Sequence, residues 1–353
     1  MGADNLKNKF MRIAIEEALK GTGKVNPNPL VGAIIVKNGE ILSKGFHEYY
    51  GGRHAEIVAI ENAEEKGISV EGATMYVTLE PCHHYGKTPP CVDRIIKEKF
   101  EKVVIAMKDP NEKVAGKSIK KLINNGIDVE VGILEDEAKE INQIFLKYIT
   151  KKEPYILLKL AMSLDGFIFP YTIKNRNITN DRVNNLVHNL RNKYSSILIG
   201  YNTLENDNPR LTSRVKNGRN PIRIVSDKDL KSKDKSFNIM NEEGNNLIIN
   251  SKNNYKTGNS EWIRIEESKP KIILKELGKR EIDSIIIEGG ANIIEQFLQY
   301  ADKIMIFQAP KIFGEGIKPF SKYSDYLENK KFKLEKFNNN ILWEFDINVY
   351  GNS

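Results

Sequence analysis

The chain has 353 residues, a length that exceeds one typical hydrophobic core and predicts two domains. Hydrophobic residues make up 40% of it, and no apolar run approaches the ~20 residues of a membrane helix, so we expect a cytoplasmic protein without membrane contact. The net charge of +7 is uneven: residues 1–150 carry 21 basic against 22 acidic side chains, and residues 151–353 carry 33 against 25. The near-neutral first half argues against a nucleic-acid surface, and scattered lysines in the second half are typical of a solvated surface.

Short apolar runs alternate with helical patterns in the first half, which predicts α/β layers. The predicted elements are three buried strands and one helix, at residues 30–36, 74–79 and 103–106 and at residues 56–65. His54 and Glu56 therefore stand at the start of a predicted helix. A second helix is predicted to start near Cys91, directly after Pro90.

The two cysteines of the chain, Cys82 and Cys91, follow the sequence His54-Ala55-Glu56. Zinc takes thiolate and imidazole ligands, and a catalytic zinc site keeps three protein ligands and an open fourth position. His-x-Glu followed by Pro-Cys is the signature of zinc nucleobase deaminases, in which the glutamate transfers protons and does not bind the metal. The sequence thus predicts a catalytic zinc site with ligands His54, Cys82 and Cys91 and with Glu56 as the acid/base.

Other interpretations of this pattern are open. A disulfide is disfavoured because thiols stay reduced in the cytosol. A structural zinc site would have a fourth protein ligand in place of the open position, and His47, His83 and His84 are available for it. A nucleic-acid deaminase shares the His-x-Glu element but carries Cys-x-x-Cys, whereas eight residues separate Cys82 from Cys91 here.

A domain boundary is predicted near residues 148–153, where a helical pattern over residues 136–148 gives way to a polar segment. We therefore expect domains at residues 1–149 and 150–353. Beyond the boundary the chain again alternates strands and helices, with predicted strands at residues 155–160, 196–200 and 285–287.

The strand at 285–287 leads into Gly289-Gly290 and a predicted helix over residues 292–300. Glycines let a backbone approach an anion, although such a pair after a strand is more often only a tight turn. The spacing is not G-x-G-x-x-G, so a Rossmann domain is not predicted. Residues 227–271 are polar and irregular, and we expect a surface insertion there.

Taken together, these motifs resemble the bifunctional riboflavin-biosynthesis deaminase/reductase family. In the first half the resemblance rests on Pro27-Asn28-Pro29-Leu30-Val31-Gly32, Gly45-Phe46-His47, Gly51-Gly52-Arg53-His54-Ala55-Glu56, Glu80-Pro81-Cys82 and Thr88-Pro89-Pro90-Cys91. In the second half it rests on Ser163-Leu164-Asp165-Gly166, Asp207-Asn208-Pro209-Arg210-Leu211-Thr212 and Glu288-Gly289-Gly290-Ala291. It spans nearly the whole chain and implies an α/β protein, a cytidine-deaminase-like three-layer α/β/α domain followed by a dihydrofolate-reductase-like α/β domain.

The resemblance also implies the chemistry. The first domain would deaminate 2,5-diamino-6-(5-phosphoribosylamino)pyrimidin-4(3H)-one, and the second would reduce the ribosyl chain of the product with NADPH. One zinc ion per chain, NADPH, a phosphorylated pyrimidine and a homo-oligomer are the implied cofactors and partners. The implied substrate contacts of the deaminase are Asn28, His47, His84, Asp109 and Asn111. The implied reductase residues are Met162, Asn177, Thr203, Asp207, Gly289, Gly290 and Ala291 for the cofactor, and Asn175, Arg191, Leu211, Arg214 and Glu288 for the substrate.

The chain departs from the family pattern at three places, all in the reductase half. Asn177 stands where the family has Trp, Val183-Asn184 replaces Ala-Arg, and Phe167 replaces a basic residue. These departures raise the alternative of a monofunctional zinc deaminase with a degenerate reductase domain. A noncatalytic, zinc-stabilised binding module is the third candidate, and a metal closed by four protein ligands would distinguish it.

Overall fold

The computed structural model describes residues 3–83, 89–111, 115–171, 178–320 and 325–351. The chain separates into two compact units, Met1–Lys151 together with Tyr350–Ser353, and Lys152–Val349. No helix within the described ranges is both long and apolar enough to cross a membrane.

The first unit is built on a mixed sheet. Its elements in chain order are α1 (Ala3–Leu19), β1 (Gly32–Lys37), β2 (Glu40–Phe46), α2 (Ala55–Glu64), β3 (Thr74–Leu79), α3 (Cys91–Lys97), β4 (Lys102–Met107), α4 (Lys117–Asn124), β5 (Asp128–Val131), α5 (Glu135–Ile141) and α6 (Gln143–Lys151). The strand order is β2-β1-β3-β4-β5. Strand β1 runs antiparallel to β2 and β3, whereas β3, β4 and β5 are parallel.

Alternating side chains of β1 explain why this sheet is covered on both faces. Ala33 and Ile35 belong to a core formed with α2, α3 and α4, and Ile34 and Val36 belong to a second core formed with α1 and α5. Each face of the sheet therefore buries its own helix layer. The predicted three-layer α/β/α arrangement of the first domain is confirmed.

Helix α2 lies directly against the backbone of β2. A Cβ at Gly45 would be 2.4 Å from the nitrogen of Ala59 and 2.5 Å from the carbonyl oxygen of Ala55. Only glycine allows this approach, which holds the start of α2, and with it His54 and Glu56, close to the sheet.

The predicted helix over residues 136–148 is in fact two helices, α5 and α6, which meet at Asn142. The Asn142 side chain accepts a hydrogen bond from the Leu30 N–H at 2.8 Å and donates to the Leu30 carbonyl at 3.0 Å. The break in the helix thus gives the segment before β1 a fixed anchor. The predicted helix over residues 56–65 matches α2 within one residue at each end, and the strand at 74–79 matches β3.

The second unit is built on a larger sheet. Its elements are β6 (Tyr155–Ser163), β7 (Phe169–Pro170), α7 (Asp181–Lys193), β8 (Ser196–Gly200), α8 (Tyr201–Asp207), β9 (Ile222–Ser226), α9 (Asn238–Asn241), β10 (Asn246–Asn250), β11 (Tyr255–Thr257), β12 (Ser260–Arg264), α10 (Pro270–Lys279), β13 (Ser284–Ile287), α11 (Ala291–Phe297), a 3₁₀ turn (Leu298–Tyr300), β14 (Lys303–Ala309), β15 (Gly316–Ile317), β16 (Phe332–Phe337) and β17 (Asn340–Asp346).

The main sheet of this unit is parallel at its centre. The strand order is β11-β12-β10-β9-β8-β13-β6-β14-β17-β16, with β7 and β15 forming a separate pair. The strands from β12 to β14 in that order are parallel, and β11, β17 and β16 are antiparallel to their neighbours. Parallel strands place their carboxyl ends at one edge, where ligands bind in open α/β sheets.

The expectation of a surface insertion over residues 227–271 is wrong. That segment contains β10, which is buried along its whole length, and β12, which pairs with it. The strand escapes recognition because its ends are asparagines. Asn246 donates to the Ser260 hydroxyl at 2.9 Å and accepts from Arg223 Nε at 2.8 Å, and Asn250 donates to the Ile263 carbonyl at 3.1 Å. Buried polar groups are tolerated when they are satisfied in this way.

Candidate active sites

Three potential metal ligands converge in the first unit. One donor atom from each of His54, Cys82 and Cys91 lies within 4.8 Å of the other two. His54 Nδ1 is 3.2 Å from Cys91 Sγ and 3.5 Å from Cys82 Sγ. Tetrahedral zinc, with bonds of about 2.0–2.3 Å, holds its ligand atoms roughly 3.3–3.8 Å apart. Both the chemistry and the spacing of this donor set therefore fit a zinc ion.

The ligands are held at the starts of two helices. His54 is the extended residue before α2, and Cys91 opens α3, where its N–H donates to Cys82 Sγ at 3.2 Å. Hydrogen bonding with Cys91 lowers the pKa of Cys82 to about 4, and the same interaction, with burial, raises the pKa of Cys91. Hydrogen bonding with Cys82 raises the pKa of His54 to about 9. Since metal ligands must be deprotonated, a bound cation would replace the protons that these groups share.

Glu56 lies beside the ligand cluster, as the second residue of α2. Its side chain is 3% exposed. Burial raises its pKa, the negative charge of Cys82 adds to this shift, and His54 opposes it. A buried carboxyl group with a raised pKa is suited to take up and release a proton near neutral pH.

Asn28 and His47 are brought next to the same cluster. His47 Nδ1 donates to the Arg53 carbonyl at 2.9 Å, because a carbonyl can only accept, and Nε2 is therefore left to accept from Asn28 Nδ2 at 3.2 Å. The ring of His47 meets the ring of His54 edge to face at 5.7 Å. Burial lowers the pKa of His47, which keeps the imidazole neutral.

Asp109 and Asn111 follow β4, the strand next to β3. Asp109 Oδ1 accepts from the Asn111 N–H at 2.8 Å. The segment is anchored by Glu80, whose Oε2 accepts from the N–H groups of Asp109 at 3.2 Å and Gly116 at 3.0 Å, and whose Oε1 accepts from the Ser118 hydroxyl at 2.6 Å. Because β3 and β4 are parallel, these residues leave the sheet at the same edge as Cys82.

The second unit contains a cavity of about 1250 Å³ at the carboxyl ends of β6, β8, β9 and β13. Eight of the residues singled out by sequence line it: Arg191, Thr203, Asp207, Leu211, Glu288, Gly289, Gly290 and Ala291. Their convergence on one cavity follows from the parallel strands, whose ends meet at this edge of the sheet.

Glu288 is the most constrained of these side chains. It is 13% exposed and lies 3.4 Å from both Lys159 Nζ and Arg191 Nη2. Burial alone would raise the pKa of Glu288, but the two cations overcome it and hold the pKa below its usual range. The cavity thus presents a stable carboxylate between two positive charges.

The turn at Gly289 requires glycine. Its φ is +128°, and a Cβ would lie 3.1 Å from the Thr203 hydroxyl oxygen. Gly290 follows as the residue before α11. The turn therefore exposes backbone to the cavity where a side chain would fill it.

Not all of the residues that the sequence analysis assigned to the two sites are found in them. Met162 packs against the apolar core of the second unit, Arg214 is exposed, and neither lines the cavity. His84, Asn175 and Asn177 lie outside the described residues. Lys159 lines the cavity but was missed by the sequence analysis. The sequence feature that could have revealed it is the position of a lysine inside the apolar strand over residues 155–163, where a buried charge needs a partner.

Comparisons with known proteins match a different protein family model to each of the two units. The family model of the cytidine and deoxycytidylate deaminase zinc-binding region matches residues 4–107, and that of the RibD C-terminal domain matches residues 154–343. The riboflavin biosynthesis protein RibD of Aquifex aeolicus is 40% identical over 316 residues, which cover 87% of this chain and 88% of the relative. RibD of Escherichia coli is 36% identical over 330 residues, covering 86% and 88%.

Solved structures give the same picture. The diaminohydroxyphosphoribosylaminopyrimidine deaminase/5-amino-6-(5-phosphoribosylamino)uracil reductase of Thermotoga maritima matches with a TM-score of 0.92 and 42% identity, covering 98% of this chain and 99% of its own. RibD of Acinetobacter baumannii matches with a TM-score of 0.84 and 32% identity, covering 97% and 99%.

A zinc-binding deaminase domain joined to a reductase domain defines a bifunctional deaminase/reductase. The chain belongs to the RibD family of riboflavin biosynthesis proteins. It is an enzyme with both a deaminase and a reductase domain, which confirms the predicted function and the predicted fold class of both domains. The comparisons give no support to the alternative of a degenerate reductase domain.

Proposed function

We propose that the first domain deaminates 2,5-diamino-6-(5-phosphoribosylamino)pyrimidin-4(3H)-one and that the second reduces the ribosyl chain of the product with NADPH. The observation that carries the proposal is the three-donor cluster of His54, Cys82 and Cys91 with the buried Glu56 beside it. The name of the Thermotoga maritima relative, a deaminase and a uracil reductase, covers this pair of reactions and supports the proposal. The proposed domains are residues 1–149 and 150–353.

In the deaminase, water adds to the amino-bearing ring carbon and ammonia leaves, so a C–N bond is replaced by a carbonyl. Bound by His54, Cys82 and Cys91, one zinc ion per chain supplies the Lewis acid that makes water nucleophilic at neutral pH. Glu56 takes the proton of the attacking water and delivers it to the departing amino group. Its raised pKa supports this role, because the same carboxyl must both accept and release the proton.

The substrate is oriented by groups around this centre. Asn28 and His47 lie against the ligand cluster through the His47–His54 ring contact. The Asn28 amide can offer a hydrogen bond to a heterocycle, and His47, whose two ring nitrogens bind Arg53 and Asn28, holds that amide in place. Asp109 and Asn111 contribute from the segment after β4, and His84 from the loop between the cysteines. These assignments rest on the family resemblance together with the contacts described for Asn28, His47 and Asp109.

In the reductase, NADPH supplies the hydride. The cofactor would lie along Thr203, Asp207 and the turn from Gly289 to Ala291, which all line the large cavity. Bare backbone at Gly289 supports close contact with a phosphate group. The resemblance also implies cofactor contacts at Asn177 and at Met162, although Met162 packs against the apolar core and not along this cavity.

The substrate would occupy the end of the cavity at Arg191, Glu288 and Lys159. A carboxylate held ionised between two cations accepts hydrogen bonds from sugar hydroxyls, and an arginine fork suits a phosphate. Leu211 also lines this cavity. The family resemblance also implies substrate contacts at Arg214, which is exposed outside the lining of this cavity, and at Asn175.

We further infer a cytoplasmic homo-oligomer that acts on a small phosphorylated pyrimidine and not on nucleic acid. Reduced thiols are needed at Cys82 and Cys91, which supports a reducing compartment. A balanced charge of 21 basic against 22 acidic side chains over residues 1–150 supports a small-molecule substrate for the deaminase.

The test supplies the zinc-loaded enzyme with the diaminopyrimidine ribosyl phosphate and NADPH, and follows ammonia release and NADPH oxidation in one tube. Both signals are expected, with oxidation following ammonia release. Ammonia without oxidation would contradict the proposed reductase step, and a tube without ammonia would contradict the deaminase step.

A further inference from the structure

One leucine enters the reductase cavity in a strained backbone conformation. Leu211 lines the cavity and is 4% exposed, and its φ of +56° lies in the left-handed region. A residue with a side chain rarely adopts that region, because its Cβ then crowds the following carbonyl oxygen. Such a conformation persists only where the surrounding contacts impose it. The contacts that hold Leu211 therefore help to set the shape of the cavity.

The segment after Leu211 is held by helix α7. The Thr212 carbonyl accepts a hydrogen bond from His188 Nδ1 at 3.1 Å and a second from Arg191 Nη1 at 3.3 Å. The two donors are three residues apart on the helix and so share one face, and a carbonyl oxygen has a lone pair for each. The Ser213 hydroxyl donates in return to the His188 carbonyl at 3.2 Å. Helix α7 thus fixes the backbone directly after the strained residue.

Of the two donors, Arg191 also has contacts inside the cavity. Its Nη2 lies 3.4 Å from Glu288 Oε2, and its Nε is buried without a hydrogen-bond partner among the described residues. The guanidinium is therefore divided between a carboxylate, the Thr212 carbonyl and one donor that a ligand can use. A second donor on the same carbonyl keeps the segment in place without relying on Arg191 alone.

His188 supplies that second donor from outside the cavity. It is partly buried and is not among the residues that line the cavity, whereas Arg191, one helical turn later, is. We propose that His188 is a positioning residue of the reductase, whose Nδ1–H holds the Thr212 carbonyl and thereby the shape of the cavity at Leu211 and Arg191. The proposal rests on the reductase reaction proposed above and adds to it a residue that acts without touching the substrate.

The effect on the reaction follows from preorganisation. Without the His188 hydrogen bond, Leu211 could relax from its strained conformation and Arg191 could turn away from Glu288. Substrate binding would then have to restore both, and the free energy of that ordering is subtracted from affinity. The proposed cofactor residues Thr203 and Gly289 lie on other elements, α8 and the turn after β13, so cofactor binding should not change.

A pair of variants, His188→Leu and His188→Asn, tests the hydrogen bond. Leucine has no donor, whereas asparagine places an amide N–H close to the position of Nδ1. With the deaminated intermediate and NADPH, we expect His188→Leu to raise KM for the intermediate about tenfold and to change kcat less than about threefold. His188→Asn should regain a KM within about threefold of the wild type, because it restores the donor.

Further readouts separate positioning from other roles. Asparagine cannot transfer a proton at neutral pH, so rescue by His188→Asn excludes proton transfer by His188. Fluorescence titration should give the wild-type Kd for NADPH in both variants, and unchanged ammonia release shows that the chain has folded. Asn189→Leu is the matched control, because Asn189 is the exposed neighbour of His188 on α7 and should leave KM, kcat and Kd unchanged.

The tautomer of His188 is a readout that needs no activity. Because a carbonyl only accepts, nitrogen-15 spectra of the chain's five histidines should show His188 protonated at Nδ1, a signal identified by its absence from His188→Leu. A His188 protonated at Nε2 alone would overturn the proposal. So would an unchanged KM in His188→Leu, equal KM values in the two variants, or loss of NADPH binding together with the rise in KM.

Failure of the reductase reaction itself would have a different signature. A wild-type enzyme that binds NADPH but does not oxidise it with the deaminated intermediate would overturn the proposed reaction, and with it the positioning role. The spectra would still establish the hydrogen bond in that case. Oxidation by the wild type with an unaltered KM in His188→Leu would leave the reaction standing and remove His188 from it.

Discussion

Glu56 lies beside the proposed metal ligands, and Glu56→Gln separates its proposed role as proton carrier from metal binding. The amide keeps the shape of the side chain and cannot take up the proton of water. We expect ammonia release to fall by about 10²–10⁴-fold with the zinc content unchanged, as measured by ammonia assay and metal analysis. Glu61→Gln is the control, since Glu61 lies on the same helix in a surface pair with Arg53. Loss of zinc from Glu56→Gln would instead make Glu56 part of the metal site.

At the second site, Glu288→Gln removes the charge that Lys159 and Arg191 share. We expect NADPH oxidation to fall at least about tenfold, ammonia release to stay unchanged, and the free energy of unfolding to drop by about 2 kcal/mol at pH 7. That drop is below the 3–5 kcal/mol of a fully buried pair because the group lines an open cavity.

The pH dependence of this loss follows from the lowered pKa of Glu288. A carboxyl group whose pKa is lower in the folded than in the unfolded state stabilises the protein above its unfolded pKa of about 4.3, and this contribution disappears as the pH falls through the folded value. Urea unfolding between pH 7 and pH 3 should therefore show the wild-type and Glu288→Gln proteins converging at acidic pH. A gap that stays constant would contradict the lowered pKa.

At the scale of elements, Glu80 joins β3 to the segment that carries Asp109. Its carboxylate accepts three hydrogen bonds, from the N–H groups of Asp109 and Gly116 and from the Ser118 hydroxyl. Glu80→Gln replaces one accepting oxygen by a donor and breaks at least one of these bonds. We expect the deaminase KM to rise about tenfold, with kcat changed less and zinc retained. Ser118→Ala, which removes a single bond, should raise KM less, and equal effects would contradict this anchoring role.

The contact between α2 and β2 is a second element on which the deaminase site depends. Gly45→Ala pushes the backbone of α2 away at Ala55 and Ala59, and with it His54. We expect a loss of about 1–3 kcal/mol in stability and a clear loss of zinc affinity, measured by unfolding and by competition with a chelator. Gly32→Ala is the matched control, because its Cβ would lie 2.0 Å from the Ala14 carbonyl of α1, which carries no proposed ligand. Equal loss of zinc affinity in both variants would contradict this explanation.

The sequence predicted those elements whose local pattern agrees with their environment. Strand β3 is a continuous apolar run, and its predicted limits at 74–79 are those observed. Strand β10 was missed because Asn246 and Asn250 suggest a loop until their distant partners Ser260 and Ile263 are known. The break between α5 and α6 has the same origin, since Asn142 binds Leu30, which lies far away in the chain.

The same distinction holds for the sites. His54, Cys82 and Cys91 could be proposed as metal ligands from sequence, because metal ligation restricts both residue types and order, and the structure brings their donor atoms together. Lys159 could not be placed, because its significance depends on Glu288, more than a hundred residues later. Glu80 stands two residues before the proposed ligand Cys82 in sequence, but only the folded chain turns its carboxylate toward the segment after β4.

At the scale of the whole molecule, each domain has its own sheet and its own apolar core, so each site is assembled within one unit. The candidate metal ligands belong to the first unit, and the large cavity is lined by residues of the second. The two proposed reactions therefore need no residue in common. The product of the first site must nevertheless reach the second, because the reductase acts on the deaminated compound.

This separation predicts that two damaged enzymes can complete the pathway together. Glu56→Gln retains the reductase site and Glu288→Gln retains the deaminase site. With the diaminopyrimidine ribosyl phosphate and NADPH, each variant alone should oxidise NADPH much more slowly than the wild type. The mixture should oxidise NADPH faster than either variant, after a lag that shortens as more Glu288→Gln is added. The lag arises because the deaminated intermediate must accumulate in solution before the other protein can use it. If the mixture stays inactive while Glu56→Gln oxidises NADPH with added deaminated product, the intermediate does not leave the enzyme that makes it.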